Sequence, residues 1–166
     1  REVLVSAGAL LSGLVMSGAR PAMAAAAVSS GATNSPAAAA GRITIGKDMA
    51  VNRLGFGAMR VTGDGIWGEP PDVAEAKRVL RLAVELGVDF IDTADAYGPD
   101  VSERLIAEAL YPYPKGLVIA TKGGLVRPAR EKWERDGRPA HLREACEASL
   151  KRLRLERIDL YQFHAI

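Results

Sequence analysis

The hexapeptide GDGIWG, Gly63–Gly68, is the stretch on which the choice of fold turns. It spells G-x-G-x-x-G and follows LGFGAM (54–59), an apolar, glycine-interrupted run that reads as a short buried strand. A helical pattern and a strand ending in acid, VDFID (88–92), come after it. In a dinucleotide fingerprint the helix begins inside the glycine loop. Its first amides then point at the pyrophosphate, and the third glycine lets helix and strand approach closely. Here Glu69, Pro70 and Pro71 stand between Gly68 and the helix body. The third glycine therefore lies outside the helix, and Ile66 and Trp67 are bulky for a loop wrapped around phosphate. GFGAMR, the other candidate, lacks its third glycine. The motif alone is a weak signal, and its setting favours a mobile loop after the first strand, with Trp67 as a pocket wall.

Outward from this loop the chain alternates between two periodicities. RITI and AVNRL, joined by GKDM, predict a β-hairpin from Arg42. Asp72–Leu86 is a predicted helix, with Val73, Ala76, Leu80, Ala83 and Val84 on one face, Pro71 suiting its first turn and Gly87 its end. Val88–Asp92 is a strand. Ser102 is a candidate cap for a second helix, with Val101 and Ile106 as a staple, and YPYP forbids continuation past Leu110. Leu117–Thr121 is a strand, Gly123–Ala140 a long loop, and Leu142, Ala145, Cys146, Ser149, Leu150 and Leu153 mark one face of a third helix. Ile158–His164 is the last strand. Continuous apolar strands alternating with amphipathic helices predict a parallel sheet with helices outside it. Two architectures fit, an open doubly wound sheet or half of an α/β (β/α)8 TIM barrel.

Composition bounds the function. The 166 residues are 48% apolar and 25% charged with a net charge of +2, a globular balance without the basic stripe that nucleic acid requires. The single cysteine, Cys146, excludes an internal disulfide framework and reads as a small buried hydrophobe. Residues 1–27 form a signal-like segment: REVLVSAGALLSGLVMSGA is mildly apolar and glycine-interrupted, so no permanent membrane span is expected, and Ala22 and Ala24 give an A-x-A pattern. One more arginine ahead of Arg1 would make it similar to a twin-arginine signal, which implies export to the periplasm. If the segment is not a functional signal, the alternative is a cytoplasmic protein. Residues 28–41 read as a flexible linker. The chain starts without Met and stops within LYQFHAI, so a fragment open at both ends is expected, its folded part being 42–166.

Four ionisable residues stand out by position: Asp92 closes VDFID, Tyr97 follows in the next loop, Lys122 ends LVIATK and His164 ends LYQFH. All lie at or just past the C-terminal ends of successive strands, which in a (β/α)8 barrel converge on one rim. Each also has an ordinary reading, as a cap or turn residue, a surface tyrosine, a snorkelling lysine and a core histidine. Together they make chemical sense. A free tyrosine has a pKa of about 10. An adjacent ammonium favours phenolate and lowers that value, a carboxylate holds the ammonium in place, and an imidazole orients a carbonyl oxygen.

GVDFIDTADAYG, VIATKGG and SLKRLRLERIDLYQFH resemble the aldo-keto reductases, and the order of hairpin then barrel strands is also theirs. The resemblance covers 42–166 and implies the first half of a (β/α)8 barrel. It implies a catalytic tetrad of Asp92, Tyr97, Lys122 and His164, with Tyr97 as general acid, Lys122 and Asp92 tuning it, and His164 positioning the carbonyl. It implies hydride from NADPH, with NADH left open, and a small carbonyl substrate. Gly57, Ala58 and Met59, with Asp92, are the implied cofactor contacts, and no metal is expected. Trp67 and Trp133 are candidate walls of the substrate pocket. GIWGEP and GGLVRP are most similar to bacterial members acting on aldehydes, pyridoxal among them. The family holds the adenosine phosphate with the second half of its barrel, so this piece alone is expected to be inactive and poorly stable. A nicotinamide-binding regulatory module with little turnover is the alternative function. Oligomeric state is not legible.

Overall fold

A period of two sets the faces of the sheet. In Phe90–Asp92 and Val118–Gly123 the odd positions Ile91, Ile119 and Thr121 are fully or almost fully buried. The even positions Asp92 and Lys122 point to the other face, because successive side chains alternate across a strand. The computed structural model describes residues 35–165; the signal-like segment 1–27 and residues 28–34 lie outside them.

In chain order the elements begin with α1 (Pro36–Ala39), the hairpin β1 (Arg42–Ile45) and β2 (Met49–Asn52), β3 (Phe56–Gly57) and a 3-10 turn (Ala58–Val61). Next come α2 (Val73–Glu85), β4 (Phe90–Asp92), α3 (Val101–Leu110) and β5 (Val118–Gly123). A second hairpin, β6 (Leu125–Ala129) and β7 (Lys132–Arg135), precedes α4 (Pro139–Leu153) and β8 (Leu160–Phe163). The strands β3-β4-β5-β8 form one parallel sheet in that order. Gly57, Asp92, Ala120 and Leu160 stand in register across it, and Lys122 faces Gln162. This is the first half of a (β/α)8 barrel, with the helices on one face of the sheet. Among the described residues no helix is long and apolar enough to cross a membrane.

The core lies between the sheet and α2, α3 and α4, around Leu80, Ile91, Leu105, Ile106, Ile119 and Leu153. Each such side chain contributes about 2–3 kcal/mol by leaving water. The β1–β2 hairpin closes the N-terminal end of the sheet. The Asn52 amide N–H donates to Asp89 Oδ1 at 2.8 Å, and its side-chain nitrogen donates to the Gly87 carbonyl at 2.8 Å.

Several boundaries differ from the sequence reading. Residues 35–39, read as linker, form a capped helical turn in which the Ala37 N–H donates to the Leu86 carbonyl at 3.0 Å, satisfying a carbonyl left open at the end of α2. Pro71 precedes the α2 cap rather than entering its first turn; Asp72 is the cap and accepts from the Glu75 N–H at 2.8 Å. Ser102 is not a cap. Asp100, at φ 68°, occupies that position, and Ser102 is fully buried inside α3. Its hydroxyl donates to the Ala58 carbonyl at 3.1 Å, so the Thr93 hydroxyl, 2.8 Å away, must donate to Ser102. The loop expected over 123–140 contains the β6–β7 hairpin, with a bulge between Val126 and Ala129. The first barrel strand is two residues long, with Leu54 exposed.

Candidate active site

The C-terminal ends of β4, β5 and β8 bring Asp92, Lys122 and His164 to one rim, and the turn after β4 carries Tyr97 back over it. Lys122 Nζ donates to Asp92 Oδ2 at 2.7 Å, to the Thr93 carbonyl at 2.8 Å and to the Tyr97 hydroxyl at 3.3 Å. The ammonium also lies 5.0 Å from the centre of the Tyr97 ring. The Tyr97 and His164 rings meet edge to face, 5.7 Å apart with an interplanar angle of 89°. Tyr97 is buried; the Asp92 side chain is 36% exposed and that of Lys122 14%. The His164 N–H donates to the Gly123 carbonyl at 2.9 Å, while its Nδ1 is buried without a partner among the described residues. Burial first, and then the Lys122 ammonium, hold the His164 pKa below the usual imidazole value, so the ring is neutral near pH 7. All four sequence-predicted residues thus gather at one rim, Asp92 and Tyr97 on the Lys122 ammonium and His164 on the Tyr97 ring.

The turn that delivers Tyr97 rests on a buried polar network. Glu103, fully buried on α3, accepts from Thr121 Oγ1 at 2.5 Å and from Arg152 Nε at 2.6 Å. Arg152 also pairs with Asp100 at 3.2 Å. Asp95 sits beside this network with Oδ1 buried and without a partner among the described residues. Loss of solvation first, then the Glu103 charge, push its pKa up to about 7. A carboxyl whose native pKa is raised binds its proton more tightly when folded. Its stability contribution is complete below the free-carboxylate pKa of about 4 and is lost as pH rises towards 7. Asp95→Asn should therefore gain thermal stability relative to the parent progressively between pH 4 and pH 7. A difference in melting temperature that stays flat across that range would refute the assignment.

The implied cofactor contacts divide. Gly57 faces Asp92 across the sheet, and a methyl built on it would meet nothing within 4 Å. Met59 is 38% exposed. Gly57 and Asp92 thus border open space beside Lys122, a setting that fits a nicotinamide, and Met59 is exposed two residues further on. Ala58 does not: it is fully buried, and Ser102 engages its carbonyl. Trp67 and Trp133, expected to wall a pocket, both lie against the Arg127 guanidinium, whose Cζ is 5.3 Å and 3.7 Å from their ring centres. The GDGIWG loop is not free. Gly68 N–H donates to the Gly98 carbonyl at 2.8 Å and Gly98 N–H to the Ile66 carbonyl at 3.2 Å. The helix after it starts only at Val73, which removes the phosphate-cradle reading. A hollow of about 470 Å³ lies at the opposite end of the sheet, by Met49, Val118 and Asp159, and holds none of the four residues. Cys146 is half-buried on α4, and burial pushes its thiol pKa up, consistent with a packing role.

Residues 53–166 match the sequence profile of the Aldo/keto reductase family. The chain belongs to that family. It is 56% identical over 130 residues to an uncharacterized oxidoreductase of Schizosaccharomyces pombe, covering 78% of this chain and 42% of that protein. It is 46% identical over 110 residues to pyridoxine 4-dehydrogenase of Escherichia coli, covering 66% and 38%. Among solved structures it resembles the glycerol dehydrogenase of Gluconobacter oxydans, with 39% identity, TM-score 0.65 and coverage of 76% of this chain and 39% of that one. A holo-form aldo-keto reductase of Bacillus halodurans gives 34% identity and TM-score 0.64, with coverage of 74% and 39%. The chain spans about two-fifths of the length of these relatives.

Against this aldo/keto reductase background, three polar residues escaped the sequence reading. Gln162, with its Oε1 buried and without a partner among the described residues, faces Lys122 in register and shares the inner face; strict alternation along LYQFH was the signal that pointed to it. Asp95 lies inside the Asp92–Tyr97 turn and carried no separate sequence signal. Arg127 was hidden in a segment read as loop, and only the β6–β7 hairpin turns it inward.

Proposed function

We propose that this chain forms the catalytic N-terminal half of an NADPH-dependent reductase that converts an aldehyde or ketone to an alcohol. The observation that carries the reading is the Tyr97 hydroxyl 3.3 Å from an ammonium that Asp92 holds at 2.7 Å. Reduced nicotinamide, when bound against the Gly57 and Met59 side, supplies the hydride. The chain's own residues handle the proton. Tyr97 donates a hydrogen bond to the substrate oxygen and then passes its proton to it. Lys122 stabilises the phenolate that this transfer leaves. Asp92 and the Thr93 carbonyl fix the ammonium where that charge develops, which is the arrangement that lowers a barrier without reorganisation. His164, being neutral, orients the carbonyl without adding positive charge.

The 46% identity to pyridoxine 4-dehydrogenase supports a pyridoxal-type aldehyde as substrate. In the parallel sheet β3 and β8 each have one neighbour among the described residues. Such open edges favour association over stable folding, so residues 35–166 alone would lack turnover. NADPH oxidation by the complete barrel, measured against a panel of aldehydes that includes pyridoxal, tests the proposal. Cofactor binding with no oxidation for any carbonyl compound would overturn it.

A further inference from the structure

Arg127 is a cation in the wrong kind of place for a surface residue. It is 7% exposed, and the nearest acid in sequence, Glu131, pairs with Arg130 instead. A buried charge without a counterion is unfavourable unless dipoles replace its water. Here backbone carbonyls do so. Nε donates to the Lys132 carbonyl at 3.2 Å, Nη1 to Ile66 at 2.9 Å and to Ala96 at 3.5 Å, and Nη2 to Gly65 at 3.2 Å and to Arg130. A guanidinium has five N–H donors, and all five are engaged. None remains for an anionic substrate. The indoles of Trp67 and Trp133 supply π faces to the same cation.

Two of the five acceptors, of Arg130 and Lys132, belong to the β6–β7 hairpin itself. The other three belong to the strands of backbone around the rim, and these converge on Tyr97. Ala96, its neighbour on one side, gives its carbonyl to Arg127. Gly98, its neighbour on the other side, is bridged in both directions to the 66–68 loop. That loop holds Ile66 at φ 57°, a left-handed conformation that a β-branched residue adopts only under constraint. The Ile66 carbonyl receives both Arg127 Nη1 and the Gly98 N–H, so two donors hold the strained residue in place.

We infer that Arg127 is a positioning residue for the proton donor, a saturated clasp that fixes the peptides flanking Tyr97 through the β6–β7 hairpin and the GDGIWG loop. This rests on the reductase reading for its kinetic effect but not for its structural one. The test uses the complete barrel carrying Arg127→Met and Arg127→Lys. Hydrogen exchange of peptides spanning 63–68 and 95–98 should quicken at least tenfold in Arg127→Met, while α2 and β4 keep their protection. With pyridoxal and NADPH, kcat should fall about 100-fold, the cost of a displacement near 1 Å at the reacting group, with NADPH affinity by calorimetry unchanged. Arg127→Lys, a single ammonium unable to reach five carbonyls, should not rescue.

Parental exchange at 63–68 and 95–98 overturns the clasp. So does a fall in kcat that matches only the loss of folded protein, or full rescue of kcat by Arg127→Lys. If the parent enzyme reduces no aldehyde, the reductase reading fails and the exchange result alone decides the clasp: faster exchange confined to the two segments upholds it, and parental exchange refutes it.

Discussion

Tyr97→Phe in the complete barrel should lower kcat for carbonyl reduction by about 10²–10⁴-fold, the range over which a positioned general acid acts. The substitution keeps the ring, so the edge-to-face contact with His164 and the position of Lys122 over the aromatic face survive. Only the hydroxyl that lies 3.3 Å from Nζ is removed. NADPH affinity should therefore stay near the parental value, because the open side at Gly57 and Met59 is untouched. Steady-state NADPH oxidation with titrated cofactor separates the two effects. Parental turnover in this variant would refute the role given to Tyr97, and a loss of cofactor binding in parallel would show that the phenol is structural.

The largest effect on stability is expected from Glu103→Ala. Glu103 joins α3 to β5 through Thr121 and to α4 through Arg152, and it is fully buried. Removing it leaves Arg152 with Asp100, 58% exposed, and the Ser149 hydroxyl. Breaking a buried pair by deleting one partner costs about 3–5 kcal/mol. For a domain of this size the melting temperature should then fall by roughly 10 °C. The double variant Glu103→Leu with Arg152→Met should lose less than Glu103→Ala alone, because it leaves no charge stranded. A greater loss in the double variant would show that the network is worth more than its desolvation. Glu103→Gln should also bring the Asp95 pKa back down from about 7, since Glu103 is its main charged neighbour.

The repeating strand–helix pattern was legible because its two signals are local. Apolar runs and helical spacing depend on neighbours a few residues away, and α2, α4 and β5 fall within a few residues of their expected limits. The positions of the rim residues were legible because Asp92, Lys122 and His164 stand at or next to strand ends and Tyr97 follows in the loop after one, places that sequence order alone marks. What was not legible depends on long-range partners. Ser102 looks like a cap in isolation, but its hydroxyl is claimed by Ala58 and Thr93. Arg127 lies in polar, proline-containing sequence that reads as loop, and its value comes from carbonyls about sixty residues earlier in the chain. Ala58 was a cofactor contact only by what the family resemblance implies, whereas the 3-10 turn points it into the core.

Lys122 presents a hazard that its surroundings remove. If the proposed aldehyde substrate binds here, a primary amine beside it invites addition to the carbonyl and loss of water, which would trap the substrate as an imine. Here each of the three hydrogens on Nζ is directed to an oxygen, of Asp92, Thr93 and Tyr97. An ammonium so held has no lone pair to offer, so under the proposed reductase reading the side chain would polarise its neighbour and stay inert towards the carbonyl compound.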